Sequence, residues 1–280
     1  MTKPTEHTIS LKSGTLHYWT YNKPTLPVVI VAHGFRGTHH GLEYIVQHLP
    51  GYHVITPDLP GFGASPAYEH MPHTIESYAK TILELIDSLD LQQPPVLLGH
   101  SMGTVICAEM LKQRPSAASK LVLINPVSEK PPVAQLFPGY LYHRVAGKYL
   151  PEKIGHAVLR NKLLFLLGSS VMTKTKDPVL RKLIHWNHIT YMKQFAHRRS
   201  LLEAFESANS TALDHYIEHI TLPTLMIVGK QDTIAPVAGQ RRVSAKLPNA
   251  TLVEFDQVGH IIHYEKPTEA AVAVKAFLNL

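Results

Sequence analysis

Apolar positions fall along this chain in two rhythms. Short runs rich in β-branched residues recur at Val28–Ala32, His53–Thr56, Val96–Leu98, Leu121–Ile124, Leu225–Val228 and Thr251–Phe255. Runs this short with no polar alternation predict strands buried on both faces. Between them, Ile75–Leu89, Gly103–Gln113, Val237–Lys246 and Thr268–Leu278 carry the amphipathic pattern of helices. In the last of these, Thr268 after Pro267 is expected to cap the helix. Strands alternating with helices imply an α/β fold: a mostly parallel, twisted sheet with helices on both faces. Ile9–Leu11 and Thr15–Trp19, around Ser13-Gly14, predict an N-terminal hairpin.

The alternation stops after Pro126. From Val127 to Thr221 no strand pattern is found, while Lys162–Leu167, Val179–Ile189 and Leu201–Ser207 look helical. It resumes at Leu222-Pro223. The expected organisation is therefore a core of residues 1–126 and 222–280, interrupted by a helical insertion over 127–221. No internal repeat or low-complexity tract is visible.

Composition narrows the class. Of 280 residues, 45% are hydrophobic and 17% charged, which excludes a disordered chain and allows a sizeable core. No apolar run approaches the roughly 20 residues that span a bilayer. The first ten residues are polar, and the single cysteine, Cys107, has no partner for an internal disulfide, so a cytoplasmic location is expected. The net charge of +6 raises the question of nucleic acid. Its distribution answers it. Val127–Glu218 holds 13 Lys and Arg against 7 Asp and Glu, so the flanks together are neutral. No zinc-finger spacing, RNP motif or basic region with heptads is present, and nucleic acid is not an expected partner. Surplus charge beside the apolar stretch Lys162–Leu167 raises contact with a membrane surface as an alternative. The expected arrangement has those leucines packed against the core and the charges in water.

The strongest chemical signal is Gly99-His100-Ser101-Met102-Gly103, between a predicted strand and a predicted helix. This is a G-x-S-x-G nucleophile elbow in its strand–turn–helix setting. Glycines are needed because side chains flanking the strained serine would meet backbone. The helix N-terminus favours negative charge at the hydroxyl. Turn residues His33-Gly34-Phe35 follow the strand Val28–Ala32, and the main-chain N–H groups of Phe35 and Met102 are candidate oxyanion donors. His33 is read as a hydrogen-bonded turn residue, because a better base lies at His260, just past the last strand. A serine needs an imidazole to take its proton, and the imidazole needs a carboxylate to orient it. Asp232, beyond the strand Leu225–Val228, fits that role; Asp256 and Asp58 are rivals.

The residues His33-Gly34-Phe35, Asp58–Ser65, Gly99–Gly103, Gly229–Asp232 and Gly259-His260 together resemble the α/β-hydrolase superfamily over about 27–126 and 222–279. The resemblance implies an α/β-hydrolase fold with Ser101 as nucleophile, Asp232 as orienting acid and His260 as base. It also implies a cap where the insertion lies. Its elbow is similar to those of small lipases and esterases. The expected activity is hydrolysis of a carboxylic ester of a small or medium-sized substrate through an acyl-enzyme, with no cofactor and no metal. Cleavage of a carbon–carbon bond beside a ketone, a thioester or a lactone is the alternative. A non-catalytic ligand-binding protein is the reading from another class, and the intact triad argues against it.

Other features carry milder expectations. Gly61-Phe62-Gly63 lacks a third glycine and shapes a loop after the fourth strand. Cys107 reads as a small buried side chain. His215 and His219, four apart, suit a metal on a helix face but read as surface histidines without a His-Glu-x-x-His pattern. Tyr140, Tyr142, Trp186, Tyr191 and Phe195 are candidates for lining a pocket or packing the insertion.

Overall fold

A computed structural model describes residues 3–279. Eight strands form one sheet: β1 (Thr5–Leu11), β2 (Gly14–Tyr21), β3 (Val28–Ala32), β4 (His53–Pro57), β5 (Val96–His100), β6 (Lys120–Ile124), β7 (Thr224–Gly229) and β8 (Ala250–Phe255). Their order is β1-β2-β4-β3-β5-β6-β7-β8. Neighbours from β4 to β8 are parallel, and the β1–β2 hairpin adds antiparallel to β4. Every residue of β5 and β7 is buried, as the apolar runs Val96–Leu98 and Leu225–Val228 within them predict. β8 departs from that expectation. It is the sheet's edge, and Thr251–Phe255 are only half-buried or exposed because no strand covers their outer side.

Helices cover both faces. Glu43–Val46 (α1) lies on one, and Ile75–Ser88 (α2) and Met102–Gln113 (α3) on the other. Thr74 caps α2 by accepting from the Ser77 N–H, and Ile75, Tyr78, Ala79, Ile82, Leu85 and Ile86 face inward at helical spacing. The insertion between β6 and β7 contains α4 (Val133–Arg144), α5 (Glu152–Leu159), α6 (Lys162–Met172), α7 (Pro178–Tyr191) and α8 (Arg198–Ala208). After it come α9 (Val237–Lys246), α10 (Ile262–Glu265) and α11 (Pro267–Leu278). Thr268 does not cap α11: Pro267 takes the first helical position, where its missing N–H costs nothing, and Lys266 is the N-cap.

The insertion packs as part of the main core. Ala146, Leu159, Phe195, Leu201 and Ala204 share one apolar cluster with Met102, Val105 and Ile106 of α3. Its ends are stitched together, since Leu213 N–H donates to Val127 O at 2.8 Å and Asp214 N–H to Ser128 O at 3.0 Å. The leucines of α6 overturn the expectation of burial. Leu163, Leu164 and Leu167 are 69%, 40% and 66% exposed. α6 turns Phe165, Leu166, Ser169 and Met172 inward instead.

Candidate active site

β4 and β5 flank β3 on opposite sides, and the connections after β3 and β5 turn to opposite faces, towards α1 and α3, which opens a crevice beyond the carboxyl ends of β3 and β5. Ser101 sits there, immediately after β5 and as the N-cap of α3. Its φ of 52° and ψ of −120° are a strained backbone state for a residue with a side chain. Two glycines make the turn feasible. A Cβ on Gly99 would come 2.6 Å from the Gly103 carbonyl oxygen, and one on Gly103 would overlap the Ala32 carbonyl. The turn after β3 lies against the serine, since a Cβ on Gly34 would be 3.1 Å from Ser101 Cβ. Met102 opens α3, so its N–H is among the amides that have no acceptor within the helix.

His260 completes a chain of hydrogen bonds. Its Nδ1 is 2.8 Å from Asp232 Oδ2 and its Nε2 2.8 Å from Ser101 Oγ. A carboxylate only accepts, so Nδ1 carries the proton and the Nε2 lone pair faces the serine hydroxyl. Asp232 is buried and fully engaged: Oδ1 accepts from the Ile234 and Ala235 N–H groups at 2.8 and 2.9 Å, and Oδ2 also accepts from Asn125 Nδ2 at 2.9 Å. Burial alone would raise its carboxyl. His260 and the two backbone donors outweigh that and hold it below the usual carboxylate range. A buried carboxylate fixed this way stays ionised beside the imidazole. Asn125 also donates to Gly259 O at 3.1 Å, which ties the end of β6 to the loop carrying His260.

A family model described as "alpha/beta hydrolase fold" matches residues 27–267. The chain belongs to that family. It is a hydrolase of the α/β fold, 28% identical over 229 residues to a putative carbamate hydrolase of Pseudomonas syringae, with 81% of this chain and 84% of the relative covered. It is 25% identical over 261 residues to an sn-1-specific diacylglycerol lipase of Mus musculus, covering 91% and 81%. The crystal structure of a hydrolase from Pseudomonas aeruginosa superposes with a TM-score of 0.80 at 22% identity over 98% of both chains, which shows the shared fold.

The rival acids of this hydrolase are engaged elsewhere. Asp58 is fully buried at the end of β4, accepting from His39 N and Nδ1 at 2.7 and 3.0 Å and from Ala64 N at 2.9 Å. Gly63 makes room for it, at φ +55°, because a Cβ there would overlap the Asp58 carboxylate. Asp256 is exposed and pairs with Lys230 at 2.9 Å. His33 Nδ1 donates to Gly34 O at 2.8 Å while Nε2 accepts from Leu59 N–H at 2.9 Å, so the ring is a neutral brace between the turns after β3 and β4. Burial lowers its pKa, in keeping with that state.

Two contributors escaped the sequence reading. Asn125 follows β6, and no local pattern links it to Asp232 or Gly259, more than a hundred positions away. His100, inside the elbow motif, donates Nε2–H to the His260 carbonyl at 3.0 Å. Burial among other histidines drives its pKa down to about 3, so it remains a neutral donor. Cys107 is buried in α3, and burial pushes its thiol up to about 12. His215 bonds the neighbouring Asp214 at 2.8 Å, and His219 lies 3.5 Å from Glu218. The five aromatics do not converge on one pocket. Phe195 is buried against His156, Tyr140 meets Phe205, and Tyr142 donates its hydroxyl to Val158 O at 3.2 Å. Tyr191 stacks on His40, while Trp186 is exposed.

Proposed function

We propose that this hydrolase cleaves a carboxylic ester of a small or medium-sized substrate by acyl transfer through Ser101. The observation that carries this is the unbroken Ser101–His260–Asp232 chain at the carboxyl end of β5, with both hydrogen bonds at 2.8 Å. His260 takes the hydroxyl proton as Ser101 attacks the carbonyl. The developing oxyanion rests on the N–H groups of Phe35 and Met102. The same imidazole returns the proton to the leaving alcohol, and water activated by His260 then releases the acid. Asp232 holds the ring in one tautomer and stabilises its charged form. Arg36, next to Phe35, donates to Leu159 O at 3.1 Å, which supports a role for the insertion as a cap above the serine. A panel of p-nitrophenyl esters of increasing acyl length, with a carbamate, a lactone and a ring-cleavage product included, tests the substrate class. Ester turnover should exceed the others and fall by roughly 10³-fold or more in Ser101→Ala with the fold intact. Near-wild-type turnover in that variant removes the mechanism.

A further inference from the structure

Eleven of the thirteen large apolar side chains that stand exposed among the described residues lie between Phe137 and Trp186. Single exposed apolar residues are ordinary, but concentration on one segment is not. The segment's centre is the packed pair α6 and α7. Each helix carries two apolar stripes. The inner ones use Phe165 and Met172 on α6 and Leu180 and Ile184 on α7. The outer ones, Leu163, Leu167 and Val171, then Val179, Leu183 and Trp186, repeat at three- and four-residue spacing and stand exposed, with Trp186 touching Tyr191 edge-to-face. A helix needing only one buried stripe has no use within the fold for a second.

Charge identifies what covers it. Between Lys162 and Met192 there are five Lys and Arg and one acid, Asp177. Asp177 is spent on capping α7, accepting from the Val179 and Leu180 N–H groups at 2.8 and 3.3 Å. Among the described residues, Lys162, Lys174, Lys176 and Lys182 form no ion pair. A second copy docked through this face would set basic residues against basic residues, because a two-fold interface pairs a patch with itself. An anionic partner with an apolar interior is complementary in both respects. Leucine, tryptophan and lysine on one surface are the composition that lies in a bilayer interface. α6 has 11 residues and α7 has 14, and no helix among the described residues is long and apolar enough to cross a membrane.

We infer that the outer face of α6 and α7 is a docking surface for an anionic lipid bilayer. The loop joining α6 to α7 is tied to the site. Glu265 accepts from the Lys174 and Thr175 N–H groups at 2.6 and 2.5 Å, and from Gly259 N–H, next to His260, at 3.3 Å. Docking therefore holds the loop of the base close to lipid. The inference stands on surface composition alone, whether or not Ser101 is the nucleophile.

The test is flotation of the full chain with phosphatidylcholine vesicles, and with vesicles containing phosphatidylglycerol, at low salt and at 1 M salt. Binding should be confined to the anionic vesicles and should weaken at 1 M, where screening acts over about 3 Å. Trp186 emission should shift to the blue on binding, while the other tryptophan, Trp19, is already buried. Leu163→Ser/Leu167→Ser/Trp186→Ser should cut partitioning by at least about ten-fold. Lys162→Gln/Lys176→Gln/Lys182→Gln should cut it by about five-fold per lysine removed. All substituted positions are exposed, and circular dichroism should report an unchanged fold. Val272→Ser, exposed on α11, should bind like the wild type, and Ser101→Ala should bind fully. Absence of binding to anionic vesicles at low salt, binding indifferent to both triple variants, or a concentration-dependent dimer that the apolar variant abolishes would each overturn the inference.

Discussion

Acid should unfold this hydrolase in the range where ordinary histidines titrate. Burial drives His100 and His143 down to about 3 and His188 to about 4, from an ordinary 6.5. Nearby cations and imidazoles act in the same direction. In the folded chain these rings stay neutral well below pH 6, while in the unfolded chain each takes a proton near 6.5. The unfolded state therefore binds more protons as pH falls, and stability drops with it. Each group loses about 1.4 kcal/mol per pH unit below 6.5, which amounts to about 2 kcal/mol by pH 5. Three such groups together remove roughly 6 kcal/mol, against about 5–15 kcal/mol for a whole domain. His33 and His263 are shifted in the same direction and add to the loss. Asp58 and Asp232 do not, because their folded values lie below the ordinary 3.8 and their contribution disappears only in stronger acid. Urea unfolding followed by circular dichroism between about pH 8 and pH 5 measures the effect. The midpoint should fall steeply below about pH 6.5, and His143→Gln should reduce the fall by about 2 kcal/mol at pH 5, less than a third of the whole. A midpoint unchanged from pH 7 to pH 5 would refute the burial argument for all three rings.

Other consequences follow from single contacts. Gly103→Ala should destabilise by about 3 kcal/mol or more, seen as a lowered melting temperature, because its Cβ has nowhere to go beside the Ala32 carbonyl. Asn125→Ala should lower kcat for ester hydrolysis by about ten-fold with KM nearly unchanged, since it removes a hydrogen bond to the ionised Asp232. Cys107 should resist iodoacetamide in the native state at neutral pH and react only on unfolding, because burial holds its thiol protonated. Labelling in the native state within minutes would contradict that burial.

How much of this was legible in the sequence follows from the range of each interaction. The central strands declare themselves because a parallel strand covered on both faces must be apolar throughout. Ser101, Asp232 and His260 are legible for a related reason: each comes just after a strand, and parallel strands bring their carboxyl ends to one side. Asn125 and His100 are different. Their contributions are hydrogen bonds to groups brought close only by the folded sheet, and nothing in the sequence beside them, the elbow around His100 included, names those partners. α4 was missed because Pro131 and Pro132 precede it and Pro138 and Gly139 interrupt it, yet Pro138 is accommodated inside the helix. The leucines of α6 were misplaced because apolar identity was taken for burial. A helix with apolar residues on two sides gives no sign of which side meets the core, and burial was assigned to the wrong stripe.

The stitching of Val127 and Ser128 to Leu213 and Asp214 has an evolutionary consequence. The long excursion leaves from β6 and returns to β7, which lie side by side, so the sheet's register is settled without the residues in between. Changes over 129–212 can accumulate without touching Ser101, Asp232 or His260, which all lie outside that span. Lineages descending from one ancestor can then diverge in this span while the hydrogen-bonded chain from Ser101 through His260 to Asp232 keeps its geometry. The constraint on that freedom is Leu159, Phe195 and Leu201, whose packing against α3 any replacement segment must reproduce.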